Sequence, residues 1–299
     1  MDISAKRDGY QLTPEELRKI QLTQLELMQE VKRICQKCHI HFNMVGGTML
    51  GAIRHKGYIP WDDDADIGFL RKEYEKFRKA CRTELNTEKY YFQDCRDTLG
   101  YRWGYGKLRR KDTEFIRLGQ EFMPYGQGIA IDLMPFDNVP DSGFARKAHA
   151  CICFFYRKAF WSAVGSRTEK NVFKKGLYRL LHLLPEEWLV RRYQGWINHC
   201  VKLGHTKQVR ILTFPTPKGV YGYDRKWYTD LKQYEFEGGQ FPGAKDYDGY
   251  LKVKYGHYMA MPPEEKRKVH PISKLSTALS LPVGEGCIHK ELFHGDKTL

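Results

Sequence analysis

The feature that most constrains this chain is a run of aspartates that follows a glycine-rich turn. Residues 45–67 read VGGTMLGAIRHKGYIPWDDDADI, and four of the five residues 62–66 are aspartates. In an extended segment the carboxylates of Asp62, Asp64 and Asp66 share one face, because side chains alternate along a strand. Carboxylates that converge repel one another unless a cation neutralises them, and hard oxygen ligands suit Mg²⁺ or Mn²⁺. A solvated acidic loop is the alternative interpretation.

A second constraint is a lone acid in an apolar segment. Asp132 lies within residues 129–134, IAIDLM, and this pattern predicts a buried strand. An ionised carboxylate is costly to bury unless it meets a metal or another cation. We therefore predict that Asp64, Asp66 and Asp132 come together from two neighbouring strands and hold a divalent metal.

The turn before the acids is a candidate phosphate site. Gly46, Gly47 and Thr48 lie between a strand-like and a helix-like segment. Glycines let the backbone turn tightly, and N–H groups at a helix N-terminus can approach a phosphate. A tight turn with a helix cap is the alternative.

The pattern along the chain predicts an α/β fold with a mixed sheet flanked by helices. Helices are predicted at 13–40, 48–55 and 72–85, and strands at 41–45, 66–70, 90–93, 107–108 and 129–133. From about residue 141 the chain becomes basic, aromatic and helical in pattern. We therefore expect a core at 12–140 and a helical, aromatic-rich region at 141–299. No Gly/Ser-rich linker separates them, so we expect both to pack as one body.

Three strings resemble the LicD family and occur in the order of that family. They are GGTMLGAIRHKGYIPWDDDADIG, IDLMPFDNVPD and YDGYLKVKYGHYMAMPPEEKR, and the resemblance covers roughly residues 30–270. It implies a nucleotidyltransferase-like core and a phosphotransferase of bacterial surface glycans, distantly related to the fukutin-related proteins. The best understood members move phosphorylcholine from CDP-choline to sugars of teichoic acid or other polysaccharide precursors, and CMP leaves.

The resemblance also assigns roles to the acids. It implies that Asp64, Asp66 and Asp132 are metal ligands or the catalytic base, and that Asp62 belongs to the same acidic motif. We expect either Asp132 or Asp62 to take the proton of the attacking sugar hydroxyl, since a carboxylate can act as a general base.

Several cations and rings are candidates for contacts with a CDP-activated donor. Cations that can hold its phosphates are Arg54, His55, Lys56 and Lys107. A solvated helix end is the alternative for the first three. Tyr58 and Trp61 flank the acids, and either ring can face the quaternary ammonium of choline. Core packing is the alternative for both rings.

The charge of the chain leaves two further functions open. Lys and Arg number 50 against 36 Asp and Glu, which gives a net charge of +14 and favours anionic partners. One alternative is a nucleotidyltransferase that releases pyrophosphate and acts on RNA, a small molecule or a protein. The other is a non-catalytic binder of anionic glycan or lipid. We expect no nucleic-acid partner, because no RNA-binding module is recognisable.

Hydropathy predicts a cytoplasmic protein. No apolar stretch approaches the ~20 residues needed to span a bilayer, and the N-terminus has no apolar signal segment. One amphipathic segment can be interpreted in two ways. Its apolar face carries Phe173, Leu177, Leu180, Leu181 and Leu184. It is either a core-facing helix or a helix that rests on the inner face of an anionic membrane, where a lipid-linked acceptor would sit.

Overall fold

Helices and strands make up most of the chain, which the computed structural model describes for residues 10–267 and 269–277. The helices are α1 (Pro14–Lys37), α2 (Gly46–His55), α3 (Arg71–Glu84), α4 (Gly143–Thr168), α5 (Val172–His182), α6 (Glu186–Lys202), α7 (Lys226–Thr229) and α8 (Tyr247–Tyr255). The strands are β1 (Asn43–Met44), β2 (Asp66–Leu70), β3 (Tyr90–Gln93), β4 (Gly106–Arg110), β5 (Glu114–Arg117), β6 (Ala130–Asn138), β7 (Gln208–Arg210), β8 (Tyr223–Asp224), β9 (Leu231–Phe236), β10 (Gly239–Ala244) and β11 (Ile272–Ser276). The end of the predicted region 141–299, from residue 278, lies outside the described residues. So do residues 1–9, on which the prediction about a signal segment partly depends.

The central sheet is mixed and has the strand order β1-β2-β6-β4-β3. β2 and β6 are parallel, whereas β1, β4 and β3 join antiparallel. β7 pairs with the end of β6 and β8 pairs with β7, so the sheet continues into the second region of the chain. Helices α1 and α3 pack against β6. The predicted mixed sheet flanked by helices is confirmed.

Local signals explain where the first helix begins and how it packs. The side chain of Thr13 accepts a hydrogen bond from the N–H of Glu16, and Glu16 bonds back to the N–H of Thr13, which forms a capping box. Ile20, Leu27 and Val31 on this helix are fully buried. Each such side chain stabilises the fold by roughly 1.5–3 kcal/mol relative to an exposed one.

The second region is less helical than its composition predicts. After α4, α5 and α6, the chain forms a β-hairpin from β9 and β10 and two short helices. Tyr223, Tyr228 and Tyr250 are buried, and the first two lie against Phe136 of β6. The predicted strand at 41–45 is reduced to two residues, because only Asn43 and Met44 pair with β2. None of the helices described here has the length and hydropathy that a membrane span requires.

Candidate active site

Strand register brings two of the predicted acids opposite each other. Asp66 of β2 pairs with Asp132 of β6 in the parallel ladder. On the other side of β6, Lys107 of β4 lies opposite Asp132. Asp64 lies two residues before Asp66, in the segment that leads into β2. The structure therefore places these acids at one end of two neighbouring strands.

The two glycines of the turn lie directly against two carboxylates. Gly46 has φ +61°, and a Cβ there would lie 2.6 Å from Oδ2 of Asp66. A Cβ on Gly47 would lie 2.6 Å from Oδ2 of Asp62. A side chain at either position would clash with a carboxylate, so glycine is required for this approach. The acids consequently lie at the N-terminus of α2, where the helix dipole favours negative charge.

Two hydroxyl groups fix the turn to its surroundings. Oγ1 of Thr48 accepts a hydrogen bond from the backbone N–H of Asp66 at 2.7 Å. The hydroxyl of Tyr250 in α8 accepts one from the N–H of Gly46 at 2.9 Å. Thr48 is buried, so its side chain holds the start of β2 against the turn.

Burial and mutual repulsion disfavour the ionised forms of Asp62, Asp64 and Asp66, which together with Asp132 we call the acid cluster. Burial first, and then Asp64 and the neighbouring aspartates, raises the pKa of Asp62 to about 9. Burial followed by Asp64 and Asp132 raises the pKa of Asp66 well above its usual range. The pKa of Asp64 is also raised by burial, although Arg117 opposes this shift. A bound cation would relieve the repulsion in this cluster.

Three cations lie beside the acid cluster. Nζ of Lys107 contacts Oδ1 of Asp132 in a part-buried ion pair. Nη2 of Arg117 in β5 lies 3.8 Å from Oδ2 of Asp64. Lys254 of α8 lies against the turn, 3.2 Å from the position that a Cβ on Gly46 would take. These groups are placed to contact an anionic ligand that approaches the acids.

A second acidic group shares Asp64 with the predicted metal site. Asp63 is buried, and its Oδ1 lies 2.7 Å from Nδ1 of His270, whose backbone N–H donates to Oδ2 at 3.1 Å. Ligand atoms of Asp63, Asp64 and His270 all lie within 4.8 Å of one another. Among the residues that the structure describes, this is the group of three whose ligand atoms lie close enough together to hold a metal ion. Asp66 and Asp132 do not belong to it. The structure thus contains an acidic candidate metal site.

A cavity of about 580 Å³ opens beside the acids. At one end it is lined by Asp64, Asp132, Lys107 and Arg117. Its other end is aromatic and basic, and is lined by Trp103, Trp161, Tyr178 and Phe214, with Arg157 and Lys158. Tyr105 lies between the two ends, since its ring centroid is 5.4 Å from Nζ of Lys107 and 5.2 Å from the ring centroid of Phe214. The cavity therefore combines groups that bind phosphate with rings that can pack on an organic group.

Three predicted cations lie at the C-terminal end of α2, whereas the acids lie at its N-terminal end. Arg54 donates to the carbonyl oxygen of Tyr258 at 2.9 Å and to Nε2 of His55 at 2.9 Å. Lys56 pairs with Glu235 at 3.4 Å. The contacts of Arg54, His55 and Lys56 are thus with segments outside the acid cluster.

The two rings predicted to face choline are not part of the cavity lining. Tyr58 is buried in the core, and its ring centroid lies 4.9 Å from that of Phe236. The guanidinium of Arg267 lies 4.8 Å from the ring centroid of Trp61. A protein cation therefore already covers one face of Trp61, and the rings of the cavity come from later segments.

Sequence reasoning missed three charged residues at the site, namely Arg117, Lys254 and His270. Lys254 lies within the third string that resembles the LicD family, so a signal for it was present. His270 lies three residues beyond that string, and nothing in the local sequence distinguishes Arg117 from other surface arginines. Both reach the site because β5 pairs with β11.

Comparison with known proteins agrees with this geometry. Residues 39–162 match the family described as LicD/FKTN/FKRP, nucleotidyltransferase domain. The matched segment contains the turn, the acid cluster and Lys107. The predicted resemblance to the LicD family is confirmed.

One relative extends the LicD similarity over most of the chain, and two others match short segments. The chain is 28% identical over 266 residues to the lipopolysaccharide cholinephosphotransferase LicD of Haemophilus influenzae, a match that covers 86% of this chain and 97% of that protein. It is 38% identical over 58 residues to an uncharacterized protein of Rickettsia typhi, which is 19% of each chain. An uncharacterized protein of Rickettsia prowazekii is 40% identical over 52 residues, 17% of this chain and 20% of that protein.

Proposed function

We propose that this chain is a metal-dependent transferase that moves phosphorylcholine, or a similar phospho-alcohol, from a CDP-activated donor to a sugar hydroxyl of a cell-surface glycan. The observation that carries the proposal is the cavity that joins Asp64 and Asp132 to Lys107, Arg117 and an aromatic end. The LicD domain and the name of the Haemophilus influenzae relative support it. A teichoic acid precursor or a lipid-linked oligosaccharide is the class of acceptor that we propose.

The acids fit a hard divalent cation, which we propose to be Mg²⁺ or Mn²⁺. Asp64, Asp66 and Asp132 would hold it, because the first two are half-buried and the third is buried, and a cation relieves the repulsion between these carboxylates. Lys107 contacts one oxygen of Asp132, Oδ1, so the other oxygen is still available as a ligand. When bound, the metal would polarise phosphoryl oxygens and offset charge on the leaving nucleotide.

The group containing His270 fits Mg²⁺ less well. An imidazole is a softer ligand that suits transition metals, whereas Mg²⁺ prefers oxygen ligands. His270 is also already bonded to Asp63 through Nδ1. We therefore propose that the pair of Asp63 and His270 fixes the backbone next to Asp64. The metal would then be bound by the carboxylates of Asp64, Asp66 and Asp132.

Residues of the chain account for the remaining chemistry. We propose that Asp132 accepts the proton of the acceptor hydroxyl, because Asp132 lines the cavity whereas Asp62 is not among its lining residues. The acceptor oxygen then bonds to the phosphorus that carries the choline. The bond from that phosphorus to the bridging oxygen breaks, and CMP leaves. Lys107 and Arg117 stabilise negative charge on the phosphates.

The proposal is tested by the product formed from a panel of donors. The protein is incubated with Mg²⁺, a lipid-linked oligosaccharide acceptor and CDP-choline, CDP-ethanolamine or CDP-glycerol, and nucleotides are separated by ion-exchange chromatography. Transfer predicts CMP, and chelation of the metal should stop its release. Pyrophosphate release from a nucleoside triphosphate without CMP release would instead favour a nucleotidyltransferase.

Matched variants assign the acids. Asp132→Asn and Asp64→Asn should each lower CMP release by at least about 100-fold, as expected when a general base or metal ligand is lost, and should leave the circular dichroism spectrum unchanged. Asp230→Asn, at an exposed acid paired with Lys245, should behave like the wild type. Near-normal turnover in either site variant would show that the reaction does not depend on this cluster.

A further inference from the structure

An amphipathic helix at the surface leaves its apolar face uncovered. Phe173, Leu177 and Leu180 of α5 are spaced by four and three residues, so they form one stripe along the helix. Their side chains are 90%, 50% and 64% exposed. Val172 and Leu183 border the stripe and are 79% and 77% exposed. The expectation of a core-facing helix is therefore wrong for Phe173, Leu177 and Leu180. Leu181 and Leu184 of the predicted face are half-buried, and Leu184 packs against the core.

The opposite side of α5 is firmly attached to the protein. Tyr178 is buried, and a Cβ on Gly165 of α4 would lie 2.6 Å from its ring. Nζ of Lys158 donates a hydrogen bond to the hydroxyl of Tyr178 at 2.9 Å. Because Tyr178 fixes the rotation of the helix, the apolar stripe is held outward and does not turn into the core.

The charged residues around the apolar stripe are almost all basic. The exposed residues Lys170, Lys174 and Arg179 lie on or next to α5, and Lys175 is half-buried. The one acid between residues 167 and 183 is Glu169. A basic residue close to an anionic lipid surface adds about 1 kcal/mol to binding. The surface is therefore complementary to negative charge as well as apolar.

We propose that the α5 face, which consists of Val172, Phe173, Leu177, Leu180 and Leu183 with the basic residues beside them, docks on an anionic lipid bilayer. Large apolar side chains that project singly from a convex helix, among lysines and arginines, match a helix that lies in the membrane interface. A protein partner would be favoured by an apolar groove, which this face does not form.

Docking through this face also orients the cavity. Tyr178 of α5 and Lys158 and Trp161 of α4 line the cavity, so its aromatic end lies next to the docking helix. An acceptor anchored in the bilayer would meet the cavity from that side. The docking itself does not depend on the proposed reaction, because it requires neither donor nor metal.

Vesicle co-sedimentation of the full chain tests the proposal. Vesicles of phosphatidylcholine with phosphatidylglycerol should pellet the wild type, and pure phosphatidylcholine should pellet much less. Phe173→Ser combined with Leu177→Ser should weaken binding by at least about 10-fold, since each lost apolar contact is worth more than 1.4 kcal/mol. The control is Val201→Ser on α6, which removes an apolar side chain with the same 50% exposure as Leu177 and should bind like the wild type.

A charge variant, Lys174→Glu with Arg179→Glu, provides a second measurement that does not alter apolar packing. It should weaken binding to the anionic vesicles by a similar factor. Wild-type protein that stays in the supernatant, or variants that pellet like the wild type, would overturn the proposal. It would also be overturned if the serine variant turned a dimer into a monomer in sedimentation velocity without changing vesicle binding, because the face would then be an interface between copies.

Discussion

The aspartates of the candidate active site lie where two glycines leave room for their carboxylates, and a bound cation would relieve their mutual repulsion. Asp62 and Asp66 lie against Gly47 and Gly46, where a side chain would exclude them. Their raised pKa values show that burial and like charge disfavour the ionised forms. Such crowding of acids is typical of a functional site, because packing alone does not favour it.

The residue-scale prediction concerns the two glycines. Gly46→Ala should destabilise the protein by about 1–2 kcal/mol from its left-handed backbone alone. It should also displace the carboxylate of Asp66 and so reduce the rise in melting temperature caused by Mg²⁺. Gly47→Ala should be milder, because its new methyl group meets the side chain of Asp62 alone.

Urea unfolding and thermal shift with and without Mg²⁺ measure both effects of the glycine variants. The control is Gly143→Ala, where an added Cβ meets nothing within 4 Å. If Gly46→Ala matched this control in stability and in its response to Mg²⁺, the turn would not hold the acids in the way described.

Among the elements, β6 supports both the site and the scaffold. It carries Asp132 at the acid cluster and, five residues later, Asp137 at a buried ion pair with α3. Nε and Nη2 of Arg71 donate to the two oxygens of Asp137, each at 2.7 Å. This bidentate pair fixes α3 on the sheet, and it satisfies two charges that would be costly to bury alone.

Asp137→Asn should lower the free energy of unfolding by about 3 kcal/mol, because the buried guanidinium of Arg71 loses its bidentate carboxylate and keeps only Glu75, 3.2 Å from Nη1, as a charged partner. Chemical denaturation measures this loss. The control is Asp230→Asn, in an exposed pair with Lys245 at 3.8 Å, which should cost at most about 1 kcal/mol. Equal losses in the two variants would mean that the buried pair contributes no more than a surface pair.

Helix α4 is joined to α6 and to the segment before β8 through a buried histidine. Sγ of Cys200 lies 3.5 Å from Nε2 of His149, and the hydroxyl of Tyr221 lies 2.8 Å from Nδ1. Burial, followed by the charge of Arg210, lowers the pKa of His149 to about 4. In an unfolded chain the pKa of a histidine is about 6.5.

This histidine should make the protein sensitive to mild acid. Between about pH 6.5 and about pH 4 the unfolded chain binds a proton that folded His149 does not, so stability falls as the pH falls. His149→Gln should reduce this loss in melting temperature, measured in buffers across that range. His257→Gln, at an exposed histidine, should keep the wild-type dependence. An unchanged pH dependence in His149→Gln would contradict the assignment.

How well the sequence predicted a site residue depends on how far that residue lies along the chain from the residues it contacts. The turn, Asp62, Asp64 and Asp66 lie within one short string, and the apolar run around Asp132 predicts its own strand. Local pattern was therefore sufficient to bring them together. Arg117, His270 and the cavity rings reach the site through the pairing of β5 with β11 and the packing of α4 and α5. Such long-range contacts leave no local pattern in a single sequence.

At the scale of the whole molecule, the second region is joined to the region 12–140 at several points. Asp137 of β6 pairs with Arg210 of β7 in the extended sheet, and α6 packs against β6. The cavity itself is lined from both sides, by β4 and β6 of the core and by α4 and α5 of the second region. Residues 12–140 and the described part of 141–299 should therefore unfold together.

A single cooperative transition is the expected result in urea. Hydrogen exchange should give amides of β4 and amides of α6 the same free energy of opening, because separating the two regions would expose buried residues on both sides. Far-ultraviolet circular dichroism and tryptophan fluorescence should give one midpoint. If the amides of α4 and α6 opened at a distinctly lower free energy than those of β4, the second region would be an independent unit. The cavity would then open by movement of that unit, and its aromatic end would not be a fixed part of the donor site.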